Sequence, residues 1–228
     1  MLIALGLFVL LLIIFVPQIW TRAIFKQYSA ELDGLPGSGG ELAQHLVEKF
    51  QLKDVIVEEV EAVGDHYAPQ DKAVRLSPEV YNGKSLTAVV IAAHEVGHAI
   101  QHTSNYAPLL LRGRLARSVA ISEKIAAMML VAFPFAAILT RFPLVGGLML
   151  FSGIMILMLP VIFHLITLPV ELDASFNRAL PILEHGKYLP ESAMPIARKI
   201  LMAAAFTYLS QSLASMLNFY RWMVFLRR

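Results

Sequence analysis

Apolar residues fall in four long blocks along the chain, and nearly all the charge lies between and beyond them. Leu2 to Trp20 is an unbroken apolar run, close to the roughly 20 residues a helix needs to cross a bilayer core. No positive residue precedes it, and Pro17-Gln18-Ile19-Trp20-Thr21 offers no small-residue cleavage site, so it reads as an uncleaved anchor. Trp20 suits an interfacial position, with Arg22 and Lys26 just beyond. Ile125 to Thr140 and the charge-free Phe142 to Val170 are expected to form a transmembrane hairpin, turned at Arg141-Phe142-Pro143 and Gly146-Gly147. The last block, Ile200 to Leu217, is interrupted by Thr207, Tyr208, Ser210 and Gln211. It reads as a re-entrant or packed helix rather than a span.

From Gln27 to Lys124 the pattern is that of a folded aqueous domain. Leu42, Leu46 and Phe50, with Ala43 and Val47, recur at helical spacing after the Leu35–Gly40 loop. Val55 to Val60 is rich in β-branched residues and reads as a strand. A turn-rich stretch from Asp65 to Lys72 follows. Ala73 to Leu76 then alternates and is expected to pair back antiparallel, leaving an exposed edge that could take a substrate backbone. Ser77-Pro78 starts a short helix, Asn82-Gly83 ends it, and Ser85 caps the next, from Leu86 to about Thr103.

Composition strengthens the membrane expectation. Charged residues make up 16% of the chain, against about 25% in a typical soluble protein. The net charge of +2, without a Lys/Arg run, excludes nucleic acid as the expected partner. The absence of cysteine restricts any transition-metal site to His, Asp and Glu. Arg22 and Lys26 follow the first run, and Arg112, Arg114, Arg117 and Lys124 precede the second. This basic bias puts the central domain in the cytosol.

The chemistry concentrates in His94-Glu95-Val96-Gly97-His98, within the expected Leu86–Thr103 helix. Residues four apart share a helix face, so both imidazoles can reach one zinc ion, and Glu95 is placed to take a proton from water as general base. His102 lies eight residues from His94, about 12 Å along the axis, too far for all three to share an ion. His164 is read as an interfacial or helix-packing residue, and His45, His66 and His185 have no spacing argument. A third ligand is therefore sought among carboxylates. Glu171, the first charge after the charge-free block, is one candidate and Asp173 the other. Tyr208 or His185 could steady the oxyanion.

Asp65-His66-Tyr67, Val74 to Tyr81, Ala92 to Gln101 and Pro169 to Ser175 together resemble the YugP-like family of bacterial neutral zinc metallopeptidases. The resemblance covers nearly the whole chain. It implies a zincin fold of the gluzincin kind in which His94, His98 and Glu171 bind zinc and Glu95 is the base. More distant HtpX-like membrane proteases carry Glu-x-x-Ala-Asp here. Glu171 and Ala174 match that pattern, whereas Ser175 replaces the Asp.

The expectation is an α+β membrane protein, mainly helical, with transmembrane helices and a small zincin-like cytosolic domain carrying a short antiparallel sheet. Its parts are an anchor over residues 2–20, the domain over 27–124, a transmembrane hairpin over 125–170 and a helical part over 171–228 that completes the zinc site. The expected activity is peptide-bond hydrolysis at the bacterial cell membrane, with the bilayer and a peptide or membrane protein as partners and the site facing the cytosol. Two alternatives are a zinc-binding scaffold without activity and an intramembrane protease. The intact Glu95 disfavours the first. The polar flanks of the motif helix, Lys84 and Gln101-His102, disfavour the second.

Overall fold

The computed structural model describes residues 2–61, 64–140, 143–157 and 159–206. Tyr208 and most of the block Ile200–Leu217 lie outside the described residues. Helix α1 (Leu2–Gln27) leads to α2 (Gly39–Lys49), which starts on a reciprocal cap. The Glu41 backbone N–H donates to Ser38 Oγ (3.2 Å), and the Ser38 N–H donates to Glu41 Oε2 (2.7 Å). Three strands follow, β1 (Ile56–Glu59), β2 (His66–Ala68) and β3 (Ala73–Leu76).

The sheet order is β1-β3-β2, with β3 parallel to β1 and antiparallel to β2. This corrects the purely antiparallel expectation. The antiparallel partner of β3 is His66-Tyr67-Ala68, in the stretch read as turns, and three residues are too few to display an alternation. It also removes strand addition on β3. That strand is central, with backbone pairing on both sides and with Ala73, Val74 and Leu76 fully buried.

Helix α3 (Pro78–Tyr81) begins at Ser77, whose side chain does not cap it. Instead the Ser77 N–H (2.7 Å) and hydroxyl (3.0 Å) both donate to Asp65 Oδ1, tying the start of β2 to the end of β3. Helix α4 (Leu86–Thr103) is capped as expected, the Ala88 N–H donating to Ser85 Oγ at 3.1 Å. Almost every residue of α4 is buried, because α2, α3, the sheet and the C-terminal segments surround it.

After α4 come α5 (Ala107–Thr140), α6 (Pro143–Leu157) and α7 (Leu159–Leu172), with α5 packed against both others. A π-helical segment, Asp173–Ala179, continues α7 and runs into α8 (Leu180–His185). Another helix, α9, covers residues 194–206.

The molecule is mainly helical with a small sheet, but among the described residues no helix is long and apolar enough to cross a membrane. This corrects the expected transmembrane helices. The stretch read as one long arm is covered by two helices of 15 and 14 residues. The apolar part of α5 continues a segment that carries Arg112, Arg114 and Lys124. The end of α1, expected at an interface, packs on the protein. Ile24 is buried, and the Thr21 hydroxyl donates to the Ala203 carbonyl at 2.8 Å.

Candidate metal centre

Two helices and the π-helical segment build the site. From α4, His94 and His98 project side by side with ring centroids 4.7 Å apart. The end of α7 delivers Glu171, which is fully buried. Its Oε2 lies 3.3 Å from His94 Nε2 and 3.2 Å from His98 Nε2. Among the described residues this is the group that could hold a metal ion, its three ligand atoms lying within 4.8 Å of one another.

Hydrogen bonds fix what these atoms present. The Gln101 amide nitrogen donates to the Val170 carbonyl and to Asp173 Oδ2, both at 2.8 Å. Its oxygen must then face His98, whose Nδ1–H donates to Gln101 Oε1 at 2.9 Å. Only a cation, proton or metal, can sit comfortably between the remaining His98 Nε2 and the Glu171 carboxylate. Ser175 Oγ meets His94 Nδ1 at 3.1 Å, so the residue in place of the HtpX-type Asp contacts the histidine directly. Two imidazoles and a carboxylate, each steadied from behind, suit zinc.

Glu171 is steadied on its other side too. Arg112 Nη1 donates to Oε1 at 2.8 Å, leaving Oε2 towards the imidazoles. Burial works to raise the Glu171 carboxyl's pKa. The charge of His98 and hydrogen bonds to both imidazoles outweigh it and hold the group well below the usual carboxylate range.

Glu95 is buried beside the cluster, and its Oε2 accepts the Tyr67 backbone N–H at 2.9 Å. The short strand β2 thus aims the carboxylate. Burial pushes the Glu95 carboxyl up to about 7, helped by the Glu171 and Asp65 carboxylates and opposed by His94 and the Tyr67 N–H. The Tyr67 hydroxyl, which burial raises to about 12, shares a 2.8 Å hydrogen bond with His102 Nδ1.

The sequence candidates divide clearly. His94, Glu95, His98 and Glu171 come together. His102 stands back against Tyr67. Asp173 faces Gln101 and Arg178 (2.8 Å each) and acts on His98 only through Gln101. His45 bonds the Tyr188 hydroxyl, His66 bonds the Gly64 carbonyl, and His164 stacks edge-on to Phe163. His185 lines a separate cavity with Lys49 and Pro181, which removes it as an oxyanion donor. Sequence reasoning missed Arg112, Gln101 and the backbone of Tyr67. Gln101, three residues after His98 on the same helix face, carried a readable signal. The other two carried none.

Gly97 makes room for a close backbone contact. A Cβ there would lie 2.9 Å from the Ala174 carbonyl oxygen, so the glycine lets the π-helical segment rest directly on α4. That contact sets the distance from Glu171 and Ser175 to the two histidines. Isolated π-turns of this kind recur at functional sites because they reposition a few side chains without breaking a helix.

A family model described as "Putative neutral zinc metallopeptidase" matches residues 3–227. The Bacillus subtilis (strain 168) protein described as "Putative membrane protease YugP" is 36% identical over 212 residues, covering 92% of this chain and 90% of the relative. No solved structure matches. The resemblance read from the motif is thereby borne out, and zinc and a peptide substrate come with the family. The chain belongs to the neutral zinc metallopeptidase family that this model describes.

Proposed function

We propose that the protein is a membrane-associated zinc endopeptidase in which His94, His98 and Glu171 hold the metal and Glu95 is the general base. The observation that carries this reading is the meeting of three buried acceptor atoms with a carboxylate of raised pKa beside them. When bound, zinc supplies Lewis acidity for the scissile carbonyl and for a nearby water.

The chain's own groups do the rest. Glu95, held by the Tyr67 N–H, takes a proton from the attacking water and passes it to the leaving amine. An affinity for protons near neutrality suits both transfers. Arg112 neutralises the far oxygen of Glu171 and lines the same cavity as Glu95. It is therefore better placed than His185 to meet negative charge developing on substrate. A structural zinc site would normally close all four positions with protein ligands, whereas cavities reach Glu95 here.

Two observations support membrane association. The relative is named a membrane protease. The α5–α6 hairpin also exposes large apolar side chains, among them Phe135, Ile138, Leu139, Leu144 and Phe151. Exposed Arg22, Lys26 and Arg114 suit the anionic cytosolic leaflet, which makes membrane proteins and their juxtamembrane segments the natural substrates. The test is cleavage of a denatured protein substrate by the zinc-loaded chain and by Glu95→Gln. The reading expects proteolysis lost in the variant while its zinc is retained. Equal cleavage by both would reject Glu95 as the base.

A further inference from the structure

The cavity that holds His185 shares no lining residue with the metal centre. About 420 Å³ in volume, it is bounded by Lys49 and Phe50 at the end of α2, by Ile100 of α4, and by Arg178, Ile182 and His185 further along the chain. Its lining contains no Asp or Glu. Two permanent cations and an imidazole therefore meet on one cavity, and the field inside it favours an anion.

Both cations are held in place and keep donors to spare. Arg178 Nε donates to Asp173 Oδ2 at 2.8 Å, and the guanidinium lies over the Tyr106 ring, 5.7 Å from its centroid. These contacts fix the plane of the fork while spending one of its five N–H groups. Asp173 itself stays out of the lining. Lys49 Nζ donates to the Tyr188 hydroxyl at 2.9 Å, which leaves two of its three protons. A cation in the last turn of a helix also answers the helix dipole, and Lys49 and His185 occupy such places in α2 and α8. That reason does not extend to Arg178, which lies within the π-helical segment, or to the meeting of all three on one cavity.

We propose that this cavity is a second ligand site, distinct from the metal centre, that binds a phosphate monoester. A planar guanidinium beside an ammonium matches the several oxygens of a phosphate, which the fork can take two at a time. The organic group of the ester lies against Phe50, Ile100 and Ile182. Phe50 is 41% exposed, so an apolar surface is available at the cavity's edge. Nothing in the site depends on zinc or on Glu95.

The test uses the metal-free full chain, so that phosphate cannot be counted as a zinc ligand. Inorganic phosphate and phenyl phosphate are titrated calorimetrically. Phenyl phosphate should bind at least about tenfold more tightly, because only it reaches the apolar walls. Lys49→Ala should weaken both ligands about tenfold, the usual scale for losing a charged hydrogen bond. Phe50→Ala should narrow the preference for phenyl phosphate. Both side chains are exposed, and Arg178→Lys offers a third variant that keeps the charge but loses the fork. Arg112→Ala, at the other cavity, should leave binding unchanged. Absence of binding, equal affinity in the parent and Lys49→Ala, or a loss confined to Arg112→Ala would overturn the site. Vesicles of phosphatidylcholine with and without phosphatidic acid then separate the two sources of such a group. A gain from phosphatidic acid that Lys49→Ala abolishes identifies a lipid headgroup. No gain, with phenyl phosphate still bound, identifies a soluble ester.

Discussion

Gln101 Oε1 accepts the Nδ1–H of His98 at 2.9 Å, and the same amide is held by Val170 and Asp173. The imidazole that faces Glu171 therefore owes its tautomer and its orientation to a residue that touches no substrate. Replacing Gln101 by Ala should lower zinc affinity by roughly 10–100-fold, the usual effect of losing an outer partner of a ligating histidine. Competition with a chelator measures it directly, and Gln101→Glu, which keeps an acceptor for the ring N–H, should recover part of the loss. Unchanged affinity in Gln101→Ala would show that His98 is oriented by packing alone.

Arg112 makes a second such prediction. Its 2.8 Å contact to Glu171 Oε1 holds the carboxylate in one orientation. Arg112→Ala should release zinc to a chelator about tenfold faster, within the range expected for an outer-partner loss. Arg112→Lys should fall between, since a lysine keeps the charge without the planar fork. Identical release rates for all three proteins would separate Arg112 from the site.

Gly97→Ala should strain the contact between α4 and the Ala174 carbonyl. A Cβ placed 2.9 Å from that oxygen forces the π-helical segment outward. The expected cost is about 1–3 kcal/mol of stability, typical of overpacking, together with weaker zinc binding. Denaturant unfolding and zinc titration check the two effects. Full stability with normal zinc affinity would mean the segment moves freely.

The raised pKa of Glu95 has a sign that can be tested in metal-free protein. A carboxyl that titrates near 7 when folded, against an unfolded value of 4.5, binds more protons folded than unfolded between those values. Its contribution to stability is fully present below about 4.5 and is lost as pH rises through about 7. Metal-free Glu95→Gln should therefore gain stability relative to the parent as pH rises from 4.5 to 8, since Gln can still accept the Tyr67 N–H. A stability difference that stays constant over that range would contradict the burial argument.

The legible part of this protein was the part encoded at short range. His94, Glu95 and His98 follow helical spacing, and the Ser85 cap follows local chemistry. Glu171 was visible as the first charge after a charge-free block. Arg112 was read only as part of a basic cluster, because its contact with Glu171 spans 59 residues and depends on how α5 leaves α4. The strand β2 was hidden by its brevity, yet its backbone aims the proposed base. Ser175 acquired meaning only with the π-helical segment that turns it towards His94. The transmembrane expectation failed for a related reason. Hydropathy counts apolar residues, whereas among the described residues no helix is long and apolar enough to cross a membrane.

The most direct measurement is the zinc content of the purified chain beside that of Glu171→Ala, with folding of both verified by circular dichroism. The account predicts about one zinc per chain in the parent, as for a single catalytic site, and a sharp loss in the variant. A folded parent without zinc, or a variant that retains it fully, would contradict the His94–His98–Glu171 centre.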